Sequence, residues 1–225
     1  MSTVPPPHRY RALIFDLGGV LINLDYAAPV AAFAALSAGA EPLGFTQRAQ
    51  TPLFDAIETG LLDDAGFRAA LRQAYTIANV TPDDAIDAAW NSILLDFPAP
   101  RLELLRALRA GGYELYLLSN TNALHRAAFD AILRRDHHLP DGLLGFFDHV
   151  YFSHEIGLRK PDAAVFRHVI ADRGLDPART LFIDDSPQHV AAARTMGLDA
   201  LWLRPGQELA ARTPFFDALR AGVAA

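Results

Sequence analysis

Ala12-Leu13-Ile14-Phe15-Asp16-Leu17-Gly18-Gly19-Val20-Leu21 is the stretch that decides the fold. Four consecutive apolar residues run into one acid and a pair of glycines. A strand buried on both faces reads as such a near-continuous apolar run, because neither face is left for water. The pattern recurs in Leu115-Tyr116-Leu117-Leu118, Val150-Tyr151-Phe152, Leu181-Phe182-Ile183 and Ala200-Leu201-Trp202-Leu203. Between these runs lie helical spacings: Leu102, Leu105 and Leu108 before Gly111-Gly112, Val165 to Ile170 before Gly174, and Val190 to Met196 before Gly197. Glycine just past a periodic apolar run is a helix C-cap signal. Strands alternating with helices imply right-handed crossovers and a parallel sheet covered on both sides. The expected fold is therefore a doubly wound, Rossmann-like α/β core of five strands.

One segment breaks the alternation. Between Leu24 and Asp96 no strand is evident, and the apolar spacing in Val30 to Leu36, Leu53 to Ile57, Phe67 to Ala74 and Ile86 to Leu95 predicts about four helices. This divides the chain into a core of residues 9–22 and 97–225 and an inserted all-helical cap of residues 23–96. Both connections fall near the C-terminal end of the first strand, where ligands bind in open α/β sheets, so the insertion is placed to close over a site and exclude water. The first ten residues, with Pro5-Pro6-Pro7 and no apolar run, read as a loose arm, residues 1–8, and not as a secretion signal.

Composition narrows the function. The 225 residues carry a formal charge of −6, the wrong sign for a protein that grips a phosphate backbone. The absence of cysteine removes disulfides and thiolate metal sites. The longest apolar stretch, Ala27 to Ala40, is shorter than the roughly 20 residues needed to cross a bilayer. The expectation is a cytoplasmic protein with neither a membrane nor a nucleic-acid partner.

The strand ends carry the chemistry. Asp16 follows the first strand, Ser119-Asn120 the second and Asp184-Asp185 the fourth, while Lys160 precedes Pro161, expected as the first residue of the next helix. Three carboxylates converging on one crevice repel each other unless a cation neutralises them, and hard oxygen donors select Mg²⁺. Mg²⁺ and Lys160 would offset the charge of a phosphoryl group, Ser119 would donate a hydrogen bond, and Asp16 would attack phosphorus in line. The expected partner is a small phosphorylated metabolite.

Four segments together, Phe15 to Leu21, Leu118-Ser119-Asn120-Thr121-Asn122, Gly157 to Asp162 and Phe182-Ile183-Asp184-Asp185-Ser186, resemble in order and spacing the four motifs of the haloacid dehalogenase superfamily. Within it the chain is similar to the bacterial α-D-glucose-1-phosphate phosphatases, whose first motif also carries glycine and whose second also reads Ser-Asn-Thr-Asn. Asn122-Ala123-Leu124-His125 and Glu58-Thr59-Gly60 extend the likeness. The resemblance implies a phosphoric monoester hydrolase with Asp16 as nucleophile. It implies Asp16, the Gly18 carbonyl and Asp185 as metal ligands, with Asp184 a ligand or its partner. Ser119, Asn120 and Lys160, with the Gly18-Gly19 turn, would hold the phosphate. Glu58 and Asp55 are candidate contacts from the cap.

Two positions depart from that pattern. Gly18 stands where most phosphatases of the superfamily carry a second aspartate that serves as general acid and base; a backbone carbonyl remains for metal, but proton transfer suffers. That loss matters least for an acidic leaving group such as the anomeric hydroxyl of glucose 1-phosphate. His189 stands where relatives often carry Asn. Plainer readings exist for several residues. Asp184 and Asp185 resemble helix N-caps, Ser119-Asn120 a turn, and Lys160 a surface lysine. His137-His138 reads as a solvated loop, Trp90 and Phe97 as core packing. Competing functions are a 2-haloacid dehalogenase, which does not keep the acidic pair, and a metal- and phosphate-binding module with little turnover.

Overall fold

The computed structural model describes residues 9–37, 52–211 and 214–220. The arm expected over residues 1–8 lies outside them. Strands β1 (Ala12–Phe15), β2 (Glu114–Ser119), β3 (His149–Phe152), β4 (Thr180–Asp184) and β5 (Asp199–Trp202) form one sheet in the order β3-β2-β1-β4-β5, every pairing parallel. The helices among the described residues are α1 (Ala27–Leu36), α2 (Pro52–Glu58), α3 (Asp64–Ala74), α4 (Asp83–Asn91), α5 (Ala99–Ala110), α6 (Ala123–His137), α7 (Ser153–Ile156), α8 (Ala163–Arg173), α9 (Pro187–Thr195) and α10 (Pro214–Arg220).

The continuous apolar runs have the expected meaning. Successive side chains of a strand point to opposite faces, so Leu13 and Phe15 join Leu117 and Ile183 on one side, beneath α5, α6 and α10. Ala12 and Ile14 join Leu118 and Phe182 on the other, beneath α8 and α9. β1 sits at the centre, with Phe15 in register with Leu117 on one side and Ile183 on the other. One residue further along, that register sets Asp16 beside Asp184. The chain order reverses between β1 and β4, the switch point at which such sheets leave a crevice at their carboxyl ends.

Among the described residues between β1 and α5, helices α1 to α4 build a second apolar cluster around Phe33, Phe54, Phe67 and Trp90. Trp90 stacks on Phe54 at 5.1 Å and meets Phe67 edge-on at 5.1 Å, which settles it as packing; Phe97 is likewise buried. The chain enters and leaves this layer through two adjacent segments tied by Asn23 N to Asp96 O (2.9 Å) and Leu95 N to Asn23 O (3.0 Å). The layer meets the core where Trp90 stacks on His125 of α6 at 4.5 Å.

Four local expectations need correction. Tyr10 is fully buried, its hydroxyl donating to Asp199 (3.2 Å), so a loose arm ends before it. Helix α6 was not evident in the apolar spacing, because Arg134, Arg135 and Asp136 interrupt its last turn; its signal was Asn122, whose side chain accepts from His125 N as an N-cap. His137 closes that helix and His138 takes the left-handed conformation at its end, so the pair is a helix terminus and not a loop. Pro161 does not open α8. Asp162 N donates to Arg159 O (3.0 Å), closing a turn with a cis Lys160-Pro161 bond, and α8 begins two residues later.

His125 gives the first prediction. Burial lowers its pKa from 6.5 to about 4, the contact with the Trp90 carbonyl only partly opposing this. The unfolded chain takes up the proton near pH 6.5 and the folded one only near pH 4, so stability falls as pH drops through that window and is unaffected by this group above it. The loss amounts to about 3 kcal/mol at the low end. Urea midpoints measured from pH 7 to pH 4 should fall more steeply for the native protein than for His125→Gln.

Candidate active site

Each strand-end residue is delivered by the backbone beneath it. Asp16 N donates to Ile183 O (2.9 Å), which fixes the first residue beyond β1 against β4. The chain then makes one tight turn, with Leu21 N and Ile22 N both donating to Leu17 O (2.8 and 3.1 Å). Gly19 in this turn has φ +70°, and a Cβ there would lie 2.1 Å from Asp185 Oδ2. A side chain at position 19 is thus barred twice, by backbone conformation and by the carboxylate.

Lys160 lies completely buried between two acids, its Nζ donating to Asp16 Oδ1 at 2.7 Å and to Asp184 Oδ2 at 2.8 Å. Its main chain is clamped by Asn120, which donates from Nδ2 to Lys160 O (2.8 Å) and accepts from Lys160 N at Oδ1 (2.9 Å). Both polar atoms of the Asn120 side chain are engaged there, so it grips the peptide that carries the lysine. Ser119 is buried and lines the same cavity. Its loop is fastened through Ser153, whose Oγ accepts from Thr121 N (2.9 Å) and donates to Thr121 O (3.1 Å).

Asp184 is fully buried and accepts from Lys160, from Ser186 N (2.7 Å) and from His189 Nδ1, 3.1 Å from both carboxylate oxygens. Because a carboxylate only accepts, the His189 tautomer here carries its proton on Nδ1. Burial opposes the Asp184 charge, but Lys160 and His189 outweigh it and hold the pKa down to about 2. Lys160 stays charged in the same way, burial being overcome by Asp16 and Asp184. Burial pushes the Asp16 carboxyl upward, and Asp184 adds to this against the pull of Lys160.

One oxygen from each of Asp16, Asp184 and Asp185 lies within 4.8 Å of the others, and these form the one potential metal-ligating group of this kind among the described residues. A pair of like charges at about 4 Å costs about 4 kcal/mol at an effective dielectric of 20. One lysine does not balance three acids. The donor set fits a hard dication, with the Gly18 backbone on the same cavity wall.

The cavity above these groups measures about 110 Å³. Its far side comes from the inserted helical segment and includes Leu24, Tyr26 and Glu58. Leu24 Cδ1 would lie 2.8 Å from a Cβ at Gly18, so the space where an acid is usual is taken by a leucine. Of the two candidate contacts from the insertion, Glu58 is buried and faces the cavity, whereas Asp55 is half exposed and lies off it. Both pair with Arg159, Glu58 at 3.0 Å. Sequence reasoning missed Arg159 and Tyr26; only the adjacency of Arg159 to Lys160 could have marked it.

The parallel sheet thus presents a lysine-bridged carboxylate beyond its central strand, at the switch point. The model of the haloacid dehalogenase-like hydrolases matches residues 10–197, and the chain belongs to that family and is one of its hydrolases. It is similar to a D-ribitol-5-phosphate phosphatase of Bacteroides thetaiotaomicron, 28% identical over 191 residues that cover 84% of this chain and 89% of that protein. It is also similar to a sesquiterpene phosphatase of Aspergillus oryzae, 27% identical over 198 residues, 86% and 90% of the two chains. Among solved structures it resembles a HAD family enzyme of Bacteroides thetaiotaomicron, an aspartate-to-alanine mutant in complex with magnesium and inorganic phosphate, with TM-score 0.78, 32% identity and coverage of 88% and 96%.

The Asn120 clamp is testable. Asn120→Ala removes both bonds to the Lys160 backbone, and a misplacement of the order of 1 Å costs about a hundredfold in rate. Steady-state kinetics should show a loss of about tenfold to a hundredfold in kcat/KM, with Lys160 itself intact.

Proposed function

We propose that the chain is a Mg²⁺-dependent phosphatase that hydrolyses a small phosphorylated metabolite through an aspartyl-phosphate on Asp16. The observation that carries this reading is Lys160 Nζ held between Asp16 and Asp184 on the floor of a cavity also lined by Asp185 and Ser119. The phosphatase names of two relatives and the magnesium and phosphate in a similar solved enzyme support it.

Asp16, Asp185 and the Gly18 carbonyl would hold the metal, with Asp184 orienting Lys160 beside them. When bound, Mg²⁺ supplies positive charge against the phosphoryl oxygens and the acid cluster. Lys160 and the Ser119 hydroxyl bind the phosphoryl oxygens, which turns phosphorus toward the Asp16 carboxylate. Attack forms the Asp16 O–P bond and breaks the bond to the leaving oxygen, which departs as an alkoxide and takes its proton from solvent; water then attacks phosphorus, returning the Asp16 carboxylate and releasing inorganic phosphate. The helical insertion serves as a cap that excludes water, and the protein works in the cytoplasm.

The substrate we favour is a sugar phosphate such as glucose 1-phosphate. Leu24 packed against Gly18 leaves no acid where a leaving-group proton is usually supplied, a deficit of about 10² to 10⁴ in rate for an ordinary alcohol. An anomeric hydroxyl, more acidic, needs that proton least. D-ribitol 5-phosphate, a primary-alcohol ester, is the opposing case, drawn from the similar phosphatase.

Phosphate release should be measured from glucose 1-phosphate, D-ribitol 5-phosphate and p-nitrophenyl phosphate, with Mg²⁺ and with EDTA. Release that requires Mg²⁺, is fastest with the 1-phosphate among the metabolites and drops about 10³-fold or more in Asp16→Asn is the expected outcome. Faster turnover of ribitol 5-phosphate would reject the argument from Gly18 while leaving the mechanism. No turnover of a broad metabolite panel would return the reading of a binding module. Independently of activity, Mg²⁺ at about a hundredfold excess over its Kd should raise Tm by about 5–10 °C, reversibly with EDTA.

A further inference from the structure

The cavity has two unlike halves. The floor gathers Asp16, Lys160, Ser119 and Asp185, the groups of the phosphoryl end. Among the described residues of the inserted segment, the roof is apolar at Leu24, Ile93 and Leu94 and polar at Tyr26 and Glu58, with Arg159 and His125 of the core on the same cavity wall. A leaving group attached to a phosphoryl on the floor extends toward that roof.

Glu58 is an expensive residue to place there. It is only 6% exposed, and a buried carboxylate is costly unless paired. The pairing comes from the core. Arg159 Nη2 lies 3.0 Å from Glu58 Oε2, and the same guanidinium reaches Asp55 one helical turn earlier. The end of α2 is pressed onto the core as well, since a Cβ on Gly60 would lie 2.4 Å from the His154 carbonyl oxygen. Glu58 is thus held in one place. Tyr26 lies beside it: burial first, then the charges of Asp185, Asp16 and Glu58, push its phenol well above the ordinary range, so it remains a protonated donor. A fixed acceptor and a fixed donor on an otherwise apolar roof match the requirement of a hydroxylated group, each hydroxyl being both donor and acceptor.

Resting on the phosphatase reading, we propose that Glu58 is a specificity-determining residue that accepts hydrogen bonds from hydroxyls of the leaving group, selecting phosphomonoesters of polyhydroxy alcohols. Arg159 pairs with Glu58 and holds it in place while shared with Asp55, so the roof offers a positioned anionic acceptor that suits hydroxyl donors. A purely apolar or aryl leaving group would bury the carboxylate without replacing the hydrogen bonds of water.

The test is the ratio of kcat/KM for glucose 1-phosphate and for D-ribitol 5-phosphate to that for p-nitrophenyl phosphate, in the native enzyme, Glu58→Gln and Glu58→Ala, with inhibition by inorganic phosphate as the readout of the floor. Loss of a hydrogen bond to a charged group predicts that both ratios fall about tenfold to a hundredfold in Glu58→Ala, chiefly through KM. Glu58→Gln, which keeps the shape and one acceptor oxygen, should fall less. A residue serving only to hold Arg159 and the Lys160 loop would lower all three substrates together and weaken phosphate inhibition; constant ratios in both variants overturn the proposal. If the native enzyme releases phosphate from no member of a broad metabolite panel that includes these three, the phosphatase reading itself fails and takes this one with it, an outcome distinct from constant ratios.

Discussion

The rest of the site depends on a single buried ammonium. Lys160 has no exposed surface, and its two hydrogen bonds join a carboxylate that follows β1 to one that ends β4. A buried ion pair is a weak source of net stability, because desolvation consumes most of the attraction, yet losing one partner is severe. The arrangement is therefore better understood as a geometric constraint than as a contribution to folding. It holds two acids at hydrogen-bonding distance from one cation, which orients the Asp16 oxygen that is left over. The same concentration of negative charge, completed by Asp185, creates the demand for a dication.

Much of the surrounding structure can be read as support for that lysine. Asn120 grips its peptide on both sides, Ser153 fastens the loop that carries Ser119 and Asn120, and His189 with Ser186 N holds Asp184 from behind. The turn after Asp16 owes its shape to Gly19, whose missing side chain makes room for Asp185. None of these contacts is local in sequence except those within the Asp184–His189 turn. They meet because a parallel sheet brings the carboxyl ends of β1, β2 and β4 to one edge.

The helical insertion adds what the sheet cannot. Its apolar cluster around Trp90 takes in Leu124 of the core helix α6, and it meets the core through the Trp90–His125 stack, through Arg159 and where Gly60 approaches the His154 carbonyl. Arg159 is adjacent in sequence to Lys160, so the loop that carries the buried lysine also pairs with Glu58 across the cavity and with Asp55 beside it. Leu24, at the entry to the insertion, fills the space beside Gly18. The missing acid and the apolar roof are thus parts of one surface.

The amino-acid sequence by itself determined the α/β class, the number of strands and the acids at their ends. Burial on both faces forces continuous apolar runs, and a strand's end is marked by the first residue that cannot be buried. It also marked Asp16, Ser119, Asp184 and Asp185 at strand ends and Lys160 before Pro161, residues that the structure gathers at one edge of the sheet. Other features were set only by the tertiary structure. Helix α6 has a charged last turn that hides its period, and the Pro161 turn depends on a bond to Arg159 that the Lys-Pro pair does not announce. The use of Asn120 as a clamp, the seat of His189 on Asp184 and the facing of Glu58 into the cavity all rest on partners far away in the chain or across a turn. Residue identity records what a side chain can donate or accept; which atom it meets is decided by how the sheet and the insertion come together.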